Sequence, residues 1–114
     1  MGRALGEMEQ LILFALVELG DEAYGAAVGR AIEARTGRDV SPGAIYTALD
    51  RMETRGLVAS WVGEPTPERG GRRRKHYRVT PEGAVELHRS VRVIQDMSEG
   101  LLATVEALAG GDGT

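Results

Sequence analysis

The sequence contains no cysteine. Disulfides and thiolate metal sites are therefore ruled out, and the chain suits a reducing compartment. Aromatic residues are scarce: one tryptophan, one phenylalanine and three tyrosines in 114 residues. The two histidines, His76 and His88, have no cysteine partners, so no metal site is expected. No serine stands in an arrangement with histidine and aspartate. The glycine-rich run over 63–71 has no Walker spacing and no Lys-Ser/Thr pair after it. Nothing here marks a catalytic constellation, and neither an enzyme nor a cofactor is expected. The longest unbroken apolar run, Leu11 to Val17, is far too short to span a bilayer. Glu7 and Glu9 precede it, which does not suit a signal peptide. The expectation is a cytoplasmic chain with no membrane partner.

What is present is an ordinary globular composition, 42% hydrophobic and 27% charged, at a length that suits one domain. The charge is unevenly placed. The segment from Arg69 to Arg78 holds six of the fourteen lysines and arginines and no acid. The remainder carries eight basic against seventeen acidic residues, although the whole chain is only −3. A basic run is usually a solvated surface. Beside a helix with a polar outward face, it is the footprint expected for nucleic acid.

That helix lies in the stretch from Val40 to Val79, around which the chain is organised. Ser41 is a suitable N-cap, and Pro42 falls at the first helical position, where its missing N–H costs nothing. Val40 and Ile45 form the two ends of a hydrophobic staple. Ile45, Leu49 and Met52 make one apolar stripe, and Gly56 is the stop signal. The opposite face carries Tyr46, Thr47, Asp50, Arg51 and Thr54. Residues 57–62 then read as a strand. The following loop contains two prolines and two acids, Glu64 and Glu68. Arg72 to Val79 reads as a second strand, with Lys75, Tyr77 and Val79 on a packed face and Arg74, His76 and Arg78 on a basic one. The pair predicts a hairpin with a charged tip.

Flanking patterns complete the layout. Residues 5–19 predict a first helix, broadly apolar through Leu5, Met8, Leu11, Ile12, Ala15, Leu16 and Leu19 and extended by Leu13, Phe14 and Val17. It reads as a central core helix with surface to spare for a second subunit. Residues 23–36 predict a second helix, with Tyr24, Val28, Ala31 and Ile32 inward. Gly25 and Gly29 weaken it and suit close helix packing. Thr80 and Pro81 repeat the cap signal, and a last helix is expected to run to about Ala109, with Gly100 as its weak spot. Its apolar seam, Ala84, Leu87, Val91, Ile94, Leu101, Val105 and Leu108, is broken at Ser98. A helix that long outruns a small core, and a second copy of the chain is its natural cover.

In this order, the residues resemble a known family. The run Ser41 to Leu49 (SPGAIYTAL) looks like the recognition-helix signature of PadR-like transcriptional regulators. Glu53 to Val58 (ETRGLV) is similar to that family's turn into the wing, and Tyr77 to Gly83 (YRVTPEG) to its wing exit. Leu11-Ile12-Leu13 and Tyr24-Gly25 also fit. The resemblance covers roughly residues 5–91. It implies a mainly α winged helix-turn-helix with a small β-hairpin and a long C-terminal dimerisation helix. In function it implies a dimeric repressor released by a ligand or stress signal. Some members sandwich flat ligands between tryptophans on the C-terminal helix. The only tryptophan here, Trp61, lies on the first wing strand, so the marker of that pore is absent.

These readings place a DNA-binding unit in residues 1–80, a dimerisation helix in 81–109 and a tail in 110–114. The candidate DNA contacts are Ser41, Pro42, Gly43, Tyr46 and Thr47 at the leading end of the recognition helix, together with Arg51. Arg72, Arg73, Arg74 and Lys75 on the wing join them. Tyr46 reads as a phosphate donor or as a partly exposed packing residue. Arg51 reads as a phosphate contact or as a partner of Asp50 or Glu53. Trp61 and Tyr77 read as wing packing. Dimerisation falls to Leu11, Leu87, Val91, Ile94, Leu101 and Val105. The expected partners are a second copy, double-stranded DNA with an inverted repeat, and a small-molecule effector. The competing reading is a winged-helix module that binds protein and not DNA; the basic wing favours DNA.

Overall fold

The structure is a computed structural model, and it describes residues 4–63 and 74–110. Helix α1 (Glu7–Leu19) leads through a short 3-10 turn (Gly20–Glu22) to α2 (Gly25–Thr36) and α3 (Pro42–Thr54). Strands β1 (Val58–Val62) and β2 (Lys75–Val79) pair antiparallel, with Ser60 opposite Tyr77 and Trp61 opposite His76. Two further helices follow, α4 (Pro81–Ser98) and α5 (Leu102–Leu108). No helix among the described residues is long and apolar enough to cross a membrane.

Local signals account for α3. The Ser41 hydroxyl accepts from the Ala44 N–H at 3.2 Å, and Pro42 opens the helix. Ile45, Leu49 and Met52 are buried as the stripe predicts. At the far end Gly56 adopts φ +80°. There the Leu57 N–H donates to the Met52 carbonyl (2.9 Å) and the Gly56 N–H to that of Glu53 (3.0 Å). This pairing is a Schellman stop, which satisfies the last carbonyls and turns the chain into the wing.

The core joins all of these elements. Ile12, Leu13 and Leu16 of α1, Val28 and Ile32 of α2, the α3 stripe, Leu57, Val58, Tyr77 and Leu87 form one buried cluster. Tyr77 carries the wing into it. Phe14 and Val17, the outer flank of α1, remain 49% and 63% exposed.

The first helix and first strand start at Glu7 and Val58, slightly later than expected, and two other boundaries differ for a physical reason. The second helix starts at Gly25, not Ala23. Ala23 and Tyr24 are extended because they pair with β2: the Tyr77 N–H donates to the Ala23 carbonyl at 2.9 Å, and Tyr24 bridges His76. Tyr24 is therefore a half-buried residue at the wing and not an inward face of α2. The last helix is also not continuous to Ala109. Glu99 turns extended, Gly100 takes φ +78°, and the chain restarts as the seven-residue α5. The heptad seam is thus divided. Leu87 is buried and Val91 half-buried, whereas Ile94, Leu101 and Val105 are 63%, 49% and 56% exposed within the chain.

The wing and α4 meet in a tight joint. The Thr80 N–H donates to the Leu57 carbonyl (3.0 Å), and the Thr80 hydroxyl donates to the Gly56 carbonyl (2.6 Å). That hydroxyl also accepts from the Gly83 N–H (3.0 Å), capping α4. Gly83 is buried, and a Cβ there would overlap the Leu57 carbonyl oxygen. Because the obstacle is backbone, it cannot rotate away. Gly83→Ala is expected to destabilise the fold by about 1–3 kcal/mol, as overpacking does. An unchanged urea midpoint would show that the joint is not tight.

Candidate nucleic-acid interface

Helix α3 is held by its apolar stripe, so its opposite face is fixed outward. Ser41, Pro42, Gly43, Thr47 and Arg51 are all exposed along it. Ser41 uses one oxygen lone pair for the cap and keeps its O–H free to donate outward. Arg51 forms no ion pair among the described residues, so the alternative pairing with Asp50 or Glu53 is not made. Glu53 is engaged elsewhere: it accepts from Ser60 Oγ at 2.5 Å and lies 3.8 Å from Lys75 Nζ.

Tyr46 is 44% exposed, yet its ring leans over the start of α2. Gly25 makes this possible, because a Cβ there would overlap the Tyr46 phenol. Gly29 lets Ile45 approach in the same way, with its Cδ1 3.2 Å from where a Cβ would stand. The two glycines that weaken α2 as a helix are thus what brings it close to α3. Tyr46 accordingly has a packing role whether or not its hydroxyl reaches a phosphate.

The wing has two chemically different faces, set by strand alternation. Tyr77 is buried, while Lys75 on the same side turns toward Glu53 and sits 5.6 Å from the Tyr77 ring. The other face carries a ladder of rings and cations. Trp61 stacks on His76 at 5.3 Å and 19°, and Arg78 lies 5.6 Å from the Trp61 ring. His76 meets Tyr24 edge-on at 5.9 Å, and its Nδ1 donates to the Asp21 carbonyl at 3.1 Å. Arg74 lies 3.9 Å above the Tyr24 ring, and Arg30 of α2 donates to the Tyr24 hydroxyl at 3.1 Å. Trp61 is thus a packing residue of the wing. Arg72 and Arg73, and the loop acids Glu64 and Glu68, lie outside the described residues.

An apolar helix stripe, an outward polar helix face and a cation-bearing hairpin make a winged helix-turn-helix. The comparisons agree. The model of the transcriptional regulator PadR-like family matches residues 12–89. This chain belongs to the PadR-like family of transcriptional regulators. It is 32% identical over 90 residues to Transcriptional regulator Rv3488 of Mycobacterium tuberculosis, covering 79% of each chain. Among solved structures, a PadR family transcription regulator from hypervirulent Clostridium difficile is 30% identical with a TM-score of 0.66; the match covers 85% of this chain and 99% of that one. A transcriptional regulator from Clostridium thermocellum is 29% identical with a TM-score of 0.67, over 80% and 82% of the two chains. The PadR-like assignment makes the chain a regulator and not an enzyme.

For this PadR-like chain, sequence reading located α3, the wing and the basic face that carries Arg78, but it misplaced Tyr24 and left out Arg30. Tyr24 read as an inward helix residue, and its contact with Arg74 spans fifty positions, beyond any local periodicity. Its neighbours leave a mark on its acidity: the guanidinium of Arg74, and then that of Arg30, hold the Tyr24 phenol below its ordinary pKa. Tyr77 moves the other way, raised first by burial and then by Asp50 and Glu53. The folded chain therefore keeps the Tyr77 proton at pH values where an unfolded tyrosine, with pKa 10.0, has lost it. Tyr77 contributes its full stability below pH 10.0 and loses it as pH rises toward its elevated value. In an alkaline absorbance titration, Tyr24 is expected to ionise before Tyr77, with Tyr24→Phe and Tyr77→Phe assigning the steps. The reverse order would contradict the geometry.

Proposed function

We propose that this PadR-like regulator is a homodimeric repressor. It binds an inverted repeat in double-stranded DNA and is released by a small-molecule or stress signal in the cytoplasm. The observation that carries the DNA reading is the free outer face of α3. Its leading end, Ser41, Pro42, Gly43, Tyr46 and Thr47, is suited to base edges, with Arg51 toward the backbone. Arg72, Arg73 and Arg74, with Lys75, supply charge that attracts phosphates with little sequence selectivity. Residues 1–80 carry this task and residues 81–109 the dimerisation, with the last residues, 110–114, as a tail.

Dimerisation is supported by apolar surface that the single chain leaves uncovered. Ile94, Met97, Leu101, Leu102, Val105 and Leu108 are all at least 49% exposed, as are Phe14 and Val17. An apolar strip of that extent calls for a cover. Leu11, Leu87 and Val91 lie where the strip meets the core. A groove of about 810 Å³ between α1 and α4, lined by Phe14, Val17, Leu87, His88, Val91 and Gln95, is the place for an effector. Its walls are mostly apolar, with His88 and Gln95 to orient a ligand.

Two outcomes test this reading. Arg72→Ala with Arg73→Ala is expected to weaken binding to operator and scrambled duplex alike, and to flatten the salt dependence by ~0.9 per lost phosphate contact. Thr47→Ala is expected to change the preferred sequence, with a loss of about 1–3 kcal/mol at one base pair. Affinities at several salt concentrations separate them; a wing variant that loses only operator preference contradicts the division. For the dimer, Ile94→Asp would bury an unpaired carboxylate in the interface and is expected to yield monomers by light scattering. A wild-type protein that is monomeric at micromolar concentration refutes the dimer itself.

A further inference from the structure

Between α3 and the wing lies a cluster that neither element explains. Tyr24 is its centre. Its ring is covered on one face by Arg74 at 3.9 Å, and its oxygen accepts from Arg30 at 3.1 Å. Neither arginine forms an ion pair with a carboxylate among the described residues. Glu18 and Glu22 line the adjoining groove, but Glu18 is held by Arg35 at 2.9 Å, and Glu22 pairs with neither arginine. Two guanidiniums thus meet on one neutral side chain, one at its oxygen and one over its ring.

The donors in this cluster are not exhausted by its internal contacts. The Arg74 guanidinium lies over the Tyr24 ring and carries five N–H donors, more than its contact with one phenol can use. Arg30 uses one of its five donors. The Tyr24 oxygen accepts from Arg30, so its own O–H is free to donate outward, and a neighbouring cation makes it a stronger donor. The set offers planar N–H pairs and an O–H to a single tetrahedral anion.

Its position identifies that anion. On one side Tyr24 adjoins Gly25, over which Tyr46 of α3 leans. On the other it bridges His76 of β2. The cluster therefore lies against both elements assigned to the duplex, so a strand touching both would run beside it. We propose that Tyr24, Arg30 and Arg74 form a clamp for one backbone phosphodiester of the operator, fixing the register of α3 relative to the wing. This rests on the DNA-binding reading above.

The experiment uses the full chain. A duplex is selected from a random pool by the wild-type protein, alongside a scrambled duplex of the same length. Affinities for both are measured at several salt concentrations for wild type, Arg30→Gln, Tyr24→Phe and Arg35→Gln, with circular dichroism melts to confirm folding. Arg30→Gln is expected to weaken both duplexes equally, by about tenfold, and to lower the salt slope by about 0.9 per subunit. Tyr24→Phe keeps both charges and the ring beneath Arg74, so it is expected to weaken both duplexes while retaining the wild-type slope. Arg35→Gln removes an exposed charge from the same helix and is expected to leave affinity and slope unchanged. A wild-type slope for Arg30→Gln, or an equal effect from Arg35→Gln, overturns the clamp while leaving DNA binding intact. A wild-type protein that selects no duplex overturns both readings.

Discussion

Two buried side chains, Val58 of β1 and the much larger Tyr77 of β2, hold the wing against the helical body. Tyr77 lies with its ring in the same cluster as the apolar stripes of α1, α2 and α3. Its N–H donates to Ala23, so the wing is tied to the chain ahead of α2 as well. The strand period does the rest: with Tyr77 inward, Arg74, His76 and Arg78 must face the other way. A slip of one residue would turn the cations onto the core and the phenol into water. The placement of charge on this protein is thus a consequence of burying a single ring.

A second constraint sets the angle of α3. Gly25 and Gly29 leave α2 without side chains where Tyr46 and Ile45 come close. Each glycine costs helix stability locally, by about 1 kcal/mol relative to alanine. That loss is offset by close contact between the two helices of the helix-turn-helix. Rigidity of the recognition face comes from this contact and from its capped ends, not from intrinsic helix propensity.

The parts legible in the sequence were those specified by neighbours in the chain. Ser41, Pro42 and Gly56 mark both ends of α3 through bonds that span a few residues. Thr80 and Pro81 do the same for α4, and the alternation of Tyr77 with Arg78 shows the two wing faces. The parts that escaped depend on distant partners. Ala23 and Tyr24 follow a helical pattern, yet a strand fifty positions away draws them into an extended shape. Lys75 read as a candidate DNA contact on the packed side of the strand, and the partner it meets there, Glu53, comes from α3. Gly100 lies within a regular seam, and periodicity alone carries the helix across it. The seam was legible as apolar, but within the chain Leu87 is buried and Val91 half-covered, while Ile94, Leu101 and Val105 stay exposed.

The joint at Thr80 has a mechanical consequence. Two hydrogen bonds from Thr80 and a missing Cβ at Gly83 fuse the start of α4 to the point where β1 begins and β2 ends. Helix α4 is therefore a rigid crank attached to the hairpin. Eighteen residues at 1.5 Å each make it about 27 Å long. A turn of about 10° at the joint carries the far end about 5 Å, so by the same ratio a displacement of the far end would reach the hairpin reduced in distance and increased in force. A single residue, Thr80, stands between β2 and α4, so no loop separates the helix from the cationic edge.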